Sequence, residues 1–150
     1  MSSSSSRTQV IGWTITGTVA VVAAGLVYAS LAWAGFCAGD CSGGPGPDSL
    51  YGGNANQTIE GLGSADDLYG GGGQDNVQGD GGATDYIEVE SGNGENGRGG
   101  EGVSDIVKVW GDSGTDNAYG GAQENDYCYV DVPPGGDDNW DNTCEQVRKQ

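Results

Sequence analysis

The chain has 150 residues, 31 of them glycine, and sets 22 acidic residues against 5 basic ones with no histidine, for a net charge of −17. That balance excludes a nucleic-acid partner, because phosphate backbones are held by Lys and Arg. The lack of histidine and of any serine in a G-x-S-x-G context speaks against an enzyme. Composition alone would leave so acidic and glycine-rich a chain disordered, and only an internal period can overturn that expectation.

The first element in chain order is a leader. Arg7 follows a run of serines, residues 8–39 carry no charge, and the most apolar part, residues 19–34, is shorter than the roughly 20 residues of a spanning helix. It ends in Ala32-Trp33-Ala34, an A-x-A cleavage signature, so residues 1–34 read as a signal peptide in helical form. An uncleaved anchor is the alternative. After cleavage no membrane segment is expected, and the chain would be secreted. Residues 35–49, with Gly43, Gly44, Pro45, Gly46 and Pro47, read as a Gly/Pro linker.

All four cysteines lie beyond the leader, hence in an oxidising compartment. Of the three possible connectivities, Cys37 with Cys41 and Cys128 with Cys144 is favoured. A zinc site is the competing reading, and the absence of histidine weighs against it.

Residues 50–130 are periodic. Residues 70–78, GGGGQDNVQ, fit every fixed position of the nonapeptide G-G-x-G-x-D-x-U-x, where U is a large apolar residue. Stepping in both directions places apolar slots at Ile59, Leu68, Val77, Ile87, Gly97, Val107, Ala118 and Cys128. Two residues before each stand Gln57, Asp66, Asp75, Asp85, Glu95, Asp105, Asp116 and Asp126. The copy holding Glu95 and Gly97 is the weak one. Ile87-Glu88-Val89 and Val107-Lys108-Val109 alternate as half-buried strands do, and their separation of two copies predicts that Glu88 and Lys108 are neighbours outside. Residues 131–150 leave the repeat, contain Pro133 and Pro134, and read as a C-terminal cap stapled by Cys144. Within them Asp137-x-Asn139-x-Asp141 mimics the start of an EF-hand loop but lacks its glycine and terminal Glu, so it reads as a polar turn.

These repeats resemble the RTX, or haemolysin-type calcium-binding, family over residues 50–130. The resemblance implies an all-β fold, a parallel β-roll or β-solenoid in which G-G-x-G-x-D forms the turn and binds Ca²⁺ while x-U-x forms the strand. It implies several calcium ions held by Asp66, Asp75, Asp85, Asp105, Asp116 and Asp126. Glycine lets neighbouring backbone come close, and Ca²⁺ takes six to eight oxygens from carboxylates and carbonyls, so the residue types suit the role. With two copies per coil, Asp66, Asp85, Asp105 and Asp126 would stack on one side and Gln57, Asp75, Glu95 and Asp116 on the other. Unlike the family's usual C-terminal export signal, this chain has an N-terminal leader, and its steps of ten and eleven residues depart from the strict nine.

The function expected is therefore that of a secreted, extracellular calcium-binding module that folds on taking up its ions. The alternative is a structural or adhesive cell-surface solenoid with residual or lost ion binding. A disordered acidic chain is a third reading. No macromolecular partner is legible.

Overall fold

The computed structural model describes residues 34–111, 114–122, 125–131 and 138–149. Thirteen strands occur among them: β1 (Ala34–Phe36), β2 (Cys41–Ser42), β3 (Ser49–Tyr51), β4 (Thr58–Ser64), β5 (Asp67–Tyr69), β6 (Asn76–Gly82), β7 (Tyr86–Glu90), β8 (Asn96–Glu101), β9 (Ile106–Trp110), β10 (Asn117–Gly121), β11 (Tyr127–Val130), β12 (Asn139–Trp140) and β13 (Gln146–Lys149). Odd-numbered strands form one sheet in the order β1-β3-β5-β7-β9-β11-β13, and even-numbered strands the other, β12-β10-β8-β6-β4-β2. Every pairing is parallel. The chain is thus a parallel β-solenoid of about six coils with one strand from each coil in each sheet.

Periodicity wins over composition because the core is a thin stack. The central strands, such as β7, β9 and β11, alternate buried and half-buried residues, and the inward residues of the two sheets meet along one line: Leu50, Ile59, Leu68, Val77, Ile87, Val107, Ala118 and Cys128, closed by Cys37 and Cys144. The register pairs Leu68 with Ile87, Ile87 with Val107 and Val107 with Cys128, so every apolar slot lies on the next. Few large apolar residues suffice when each covers only its neighbours.

The weak copy is compensated. Gly97 is buried in β8, and a Cβ there would stand 2.8 Å from Cγ1 of Val107 and 3.4 Å from Cγ1 of Val109 and Cγ2 of Ile87. In β7, β9 and β11 the odd sheet buries a second apolar residue, Val89, Val109 and Val130, at the level where Gly70 follows β5. The even sheet shrinks in step, from Ile59 and Val77 to Gly97 and Ala118, so the two layers together keep the core filled. Gly97→Val is therefore expected to destabilise the fold by about 1–3 kcal/mol, the cost of overpacking a filled core. Urea unfolding measures it, and a neutral result would mean the second layer of valines does not fill that space.

The coils extend beyond residues 50–130 at both ends. The stretch read as a linker carries β2, in which Cys41 pairs with Ile59, so a disulfide-bonded cysteine takes the apolar slot of an additional coil. The stretch read as leaving the repeat carries β12 and β13, whose Trp140 and Val147 pair with Ala118 and Cys128. Asp48-Ser49-Leu50, Asp138-Asn139-Trp140 and Glu145-Gln146-Val147 are further acid-x-apolar triplets; the first closes residues 43–51, GGPGPDSLY, which fit every fixed position of the nonapeptide, the second keeps two displaced glycines, and only the third has none before it. The leader expected over residues 1–34 lies outside the described residues except for Ala34, and Pro133, Pro134 and Asp137 lie outside them as well. Asn139 belongs to a strand, while Asp141 accepts the Thr143 N–H at 3.0 Å in a turn.

Both disulfides follow the expected pairing, Cys37–Cys41 and Cys128–Cys144, and no cysteine among the described residues is free. Such bonds are characteristic of oxidising compartments.

On the outer faces, Glu88 lies opposite Lys108, with Nζ 4.0 Å from Oε2. Lys108 also reaches the Tyr86 hydroxyl at 2.7 Å and lies 4.9 Å from the centre of that ring. Tyr51 and Tyr69 stack with ring centres 4.8 Å apart, the spacing of neighbouring strands. The even sheet carries an asparagine ladder, Asn76, Asn96, Asn117 and Asn139, in which Asn117 Nδ2 donates to Asn96 Oδ1 at 3.1 Å and Asn139 Nδ2 to Asn117 Oδ1 at 3.3 Å.

Candidate metal centre: the buried carboxylate rows

A residue two positions before an inward apolar residue points the same way in an extended chain. Each slot acid therefore enters the solenoid where a turn becomes a strand, and all of them are buried: Asp66, Asp75, Asp85, Asp105, Asp116 and Asp126 are at most 1% exposed. They fall into two rows. The first runs Asp48, Asp66, Asp85, Asp105, Asp126 and ends on Glu145, and the second contains Gln57, Asp75, Glu95, Asp116 and Asp138. The six residues expected to bind metal thus divide between the rows as the two-copy coil implies. Sequence reasoning missed Asp48, Asp138 and Glu145, and the acid-x-apolar triplet would have found all three.

Successive carboxylates do not face each other directly. In the first row the backbone N–H of each slot residue donates to the carboxylate of the next coil: Asp66 to Oδ1 of Asp85 at 2.8 Å, Asp85 to Oδ1 of Asp105 at 2.9 Å, Asp105 to Oδ1 of Asp126 at 2.8 Å. In the second row Gln57 N–H donates to Asp75 Oδ1 and Glu95 N–H to Asp116 Oδ1, both at 2.9 Å. A charge-assisted bond of this kind is stronger than a neutral one. It occupies one oxygen of each carboxylate.

The other oxygen is treated differently. Oδ2 of Asp66, Asp75, Asp85, Asp105 and Asp126 is buried without a hydrogen-bond partner. Each of these atoms except that of Asp126 lies against a glycine earlier in its own coil: a Cβ on Gly61 or Gly79 would collide with Oδ2 of Asp66 or Asp85, and one on Gly70 or Gly99 would stand 3.0 Å or 2.6 Å from Oδ2 of Asp75 or Asp105. In the first row the same Cβ positions also crowd a carbonyl of the following coil, Gly79 O, Gly99 O and Gly120 O respectively. Carboxylate and carbonyl oxygens therefore approach one another around these glycines.

Loss of hydration is the leading cause of the raised carboxyl pKa values in these rows. It pushes Asp85 up to about 7, with the carboxylates of Asp105 and Asp66 adding to the rise after the Asp66 N–H bond opposes it. Burial pushes Asp75 and Asp105 up to about 6, each against the pull of a backbone N–H. Asp66 and Asp126 are raised for the same reason. A buried acceptor with no donor is costly unless a cation or a proton joins it.

The donors suit calcium in kind. They are hard oxygens, carboxylate and carbonyl, the ligand set of Ca²⁺, and both cysteine pairs are committed to disulfides. Among the described residues no three acidic or cysteine side chains gather around one point, so most of any coordination shell would have to come from backbone carbonyls. A surface groove lined by Arg98, Tyr119, Asp80, Glu101, Asp141 and other residues shares none of the row acids.

Comparison with protein-family models, with curated proteins and with solved structures gave no match, so fold and site rest on the residues and their geometry.

Proposed function

We propose that this chain is a secreted calcium-binding β-roll of the RTX kind, a binding module and not an enzyme, whose coils are completed when Ca²⁺ joins the carboxylate rows. The observation that carries this reading is the set of five buried Oδ2 atoms without a partner, on Asp66, Asp75, Asp85, Asp105 and Asp126. These residues, with Asp116, would hold the ions together with turn carbonyls. When bound, the ion supplies the positive charge that a desolvated carboxylate lacks. The chain's own part is to fix each carboxylate through Oδ1 and to keep the surrounding space narrow with glycine.

The experiment is circular dichroism of the secreted chain in chelator and in rising Ca²⁺, with bound ions counted by equilibrium dialysis. β structure should weaken in chelator and return with a midpoint of about 10⁻⁴ to 10⁻³ M, the range of extracellular calcium modules. A chain equally folded in chelator, with no ion bound at millimolar Ca²⁺, would sink this reading.

That outcome would favour a structural or adhesive surface solenoid. One observation supports this second reading: the N–H···Oδ1 bonds already give each slot acid a task in joining coils.

A further inference from the structure

Gln57 is the one neutral side chain in the two carboxylate rows, and it alone among them carries an amide that can donate. Its backbone N–H donates to Asp75 Oδ1 at 2.9 Å, as a slot residue's should. Its side chain is buried at 4% exposure. Oε1 accepts the Gly53 N–H at 2.5 Å, while Nε2 donates to two carbonyl oxygens of the preceding coil, Cys37 O at 3.0 Å and Gly39 O at 2.7 Å. Those two carbonyls lie within the loop closed by the Cys37–Cys41 disulfide. A carboxylate could not make these bonds, since an ionised acid only accepts. One coil further along the same row, Asp75 has its Oδ1 bonded to the Gln57 N–H and its Oδ2 buried with no partner.

The contrast identifies what the slot requires. Where the residue brings its own donors, turn carbonyls of the neighbouring coil are satisfied by protein alone. Where it brings only acceptors, as Asp75 does, its second oxygen is left over unless a turn N–H reaches it. The other row begins with a carboxylate that a turn N–H does reach, Gly44 N–H donating to Asp48 Oδ2 at 2.5 Å.

We propose that the Gln57 carboxamide takes the place of a cation at its slot, so that ion binding in this row begins at Asp75 and the first coil is held without metal. This deepens the calcium reading given above and rests on it. The donors of Nε2 stand in for the charge, and the disulfide fixes the two carbonyls that receive them.

Two reciprocal variants of the full secreted chain test the proposal, with Ca²⁺ as the probe. Gln57→Glu replaces the amide by an isosteric acid and should bind one more Ca²⁺ than wild type, melt lower than wild type in chelator, and recover in Ca²⁺. Asp75→Gln should bind one ion fewer and melt higher than wild type in chelator, because a buried carboxylate without a counter-charge has been removed. The second variant carries the test if the first does not fold. Ion counts unchanged in Asp75→Gln, with wild type binding Ca²⁺ normally, would overturn the role of Gln57 and leave the calcium reading standing. A wild type that binds no Ca²⁺ would overturn both.

Discussion

Gly99→Ala is expected to abolish cooperative folding or to cost more than about 4 kcal/mol, far above the usual effect of adding one methyl group. Gly99 is buried in β8, and an added Cβ would overlap the carbonyl oxygen of Gly120 and stand 2.6 Å from Oδ2 of Asp105. Neither neighbour can yield cheaply. Gly120 O belongs to the next strand of the same sheet, and Asp105 is held by the N–H of Asp85 on its other oxygen. The same relation holds between Gly61 and Asp66 and between Gly79 and Asp85, so the glycine that precedes each of these slot acids by five or six residues is set by sterics. Gly81→Ala is the control: a Cβ there meets only Glu101 Cβ and Leu62 O, both at 3.9 Å, so its cost should stay within about 0.5 kcal/mol. Urea unfolding followed by circular dichroism, at saturating Ca²⁺, compares the two. Equal effects would mean that the acids do not point inward against these glycines.

The period of the apolar slots set Glu88 against Lys108, and joined to the two copies per coil that the resemblance implies it divided the slot acids between two rows. Those features follow from spacing, which a sequence states outright. The first coil was legible in principle, since residues 43–51, GGPGPDSLY, fit the nonapeptide although Pro45 and Pro47 give them the look of a linker; the last coils were hidden because the glycines fall out of place before the acid-x-apolar triplets stop. Asp138 and Glu145 carry on the rows where the neighbouring residues no longer look like the repeat. Gly97 looked like decay when taken alone, because its compensation by Val107 and Val109 lies on the facing sheet, ten or more residues away. The asparagine ladder had a legible signal: Asn follows the slot residue at 76, 96, 117 and 139, in every second copy. Least legible was the division of labour within each carboxylate. One oxygen serves the backbone of the preceding coil and the other is left without a partner, a distinction of atoms that residue types cannot carry.

In chelator, acidification from about pH 7.5 to about pH 4.5 is expected to stabilise the solenoid, the reverse of ordinary acid denaturation. The sign follows from the direction in which burial moves the carboxyls. Burial raises Asp85 to about 7 and Asp75 and Asp105 to about 6, all above the 3.8 of an exposed carboxyl, so the folded chain binds more protons than the unfolded one across that window. Stability therefore rises as pH falls through the folded values and levels off below about 4. A tenfold gain in proton affinity on folding corresponds to about 1.4 kcal/mol, which sets a ceiling on the order of 4 kcal/mol for Asp85 alone, lowered by whatever solvent screens. Relief of the general repulsion in a chain of net charge −17 acts in the same direction, so the wild-type profile alone would not isolate the rows. Asp85→Asn does: it keeps the shape, cannot ionise, and should melt higher than wild type at neutral pH while showing a flatter rise on acidification. Saturating Ca²⁺ should invert the wild-type profile, because protons then compete with the ion for the same oxygens. Melting temperature against pH, measured for both chains with and without Ca²⁺, decides the matter. A wild type that loses stability on acidification in chelator would show that the buried carboxylates are already balanced by the N–H bonds they accept.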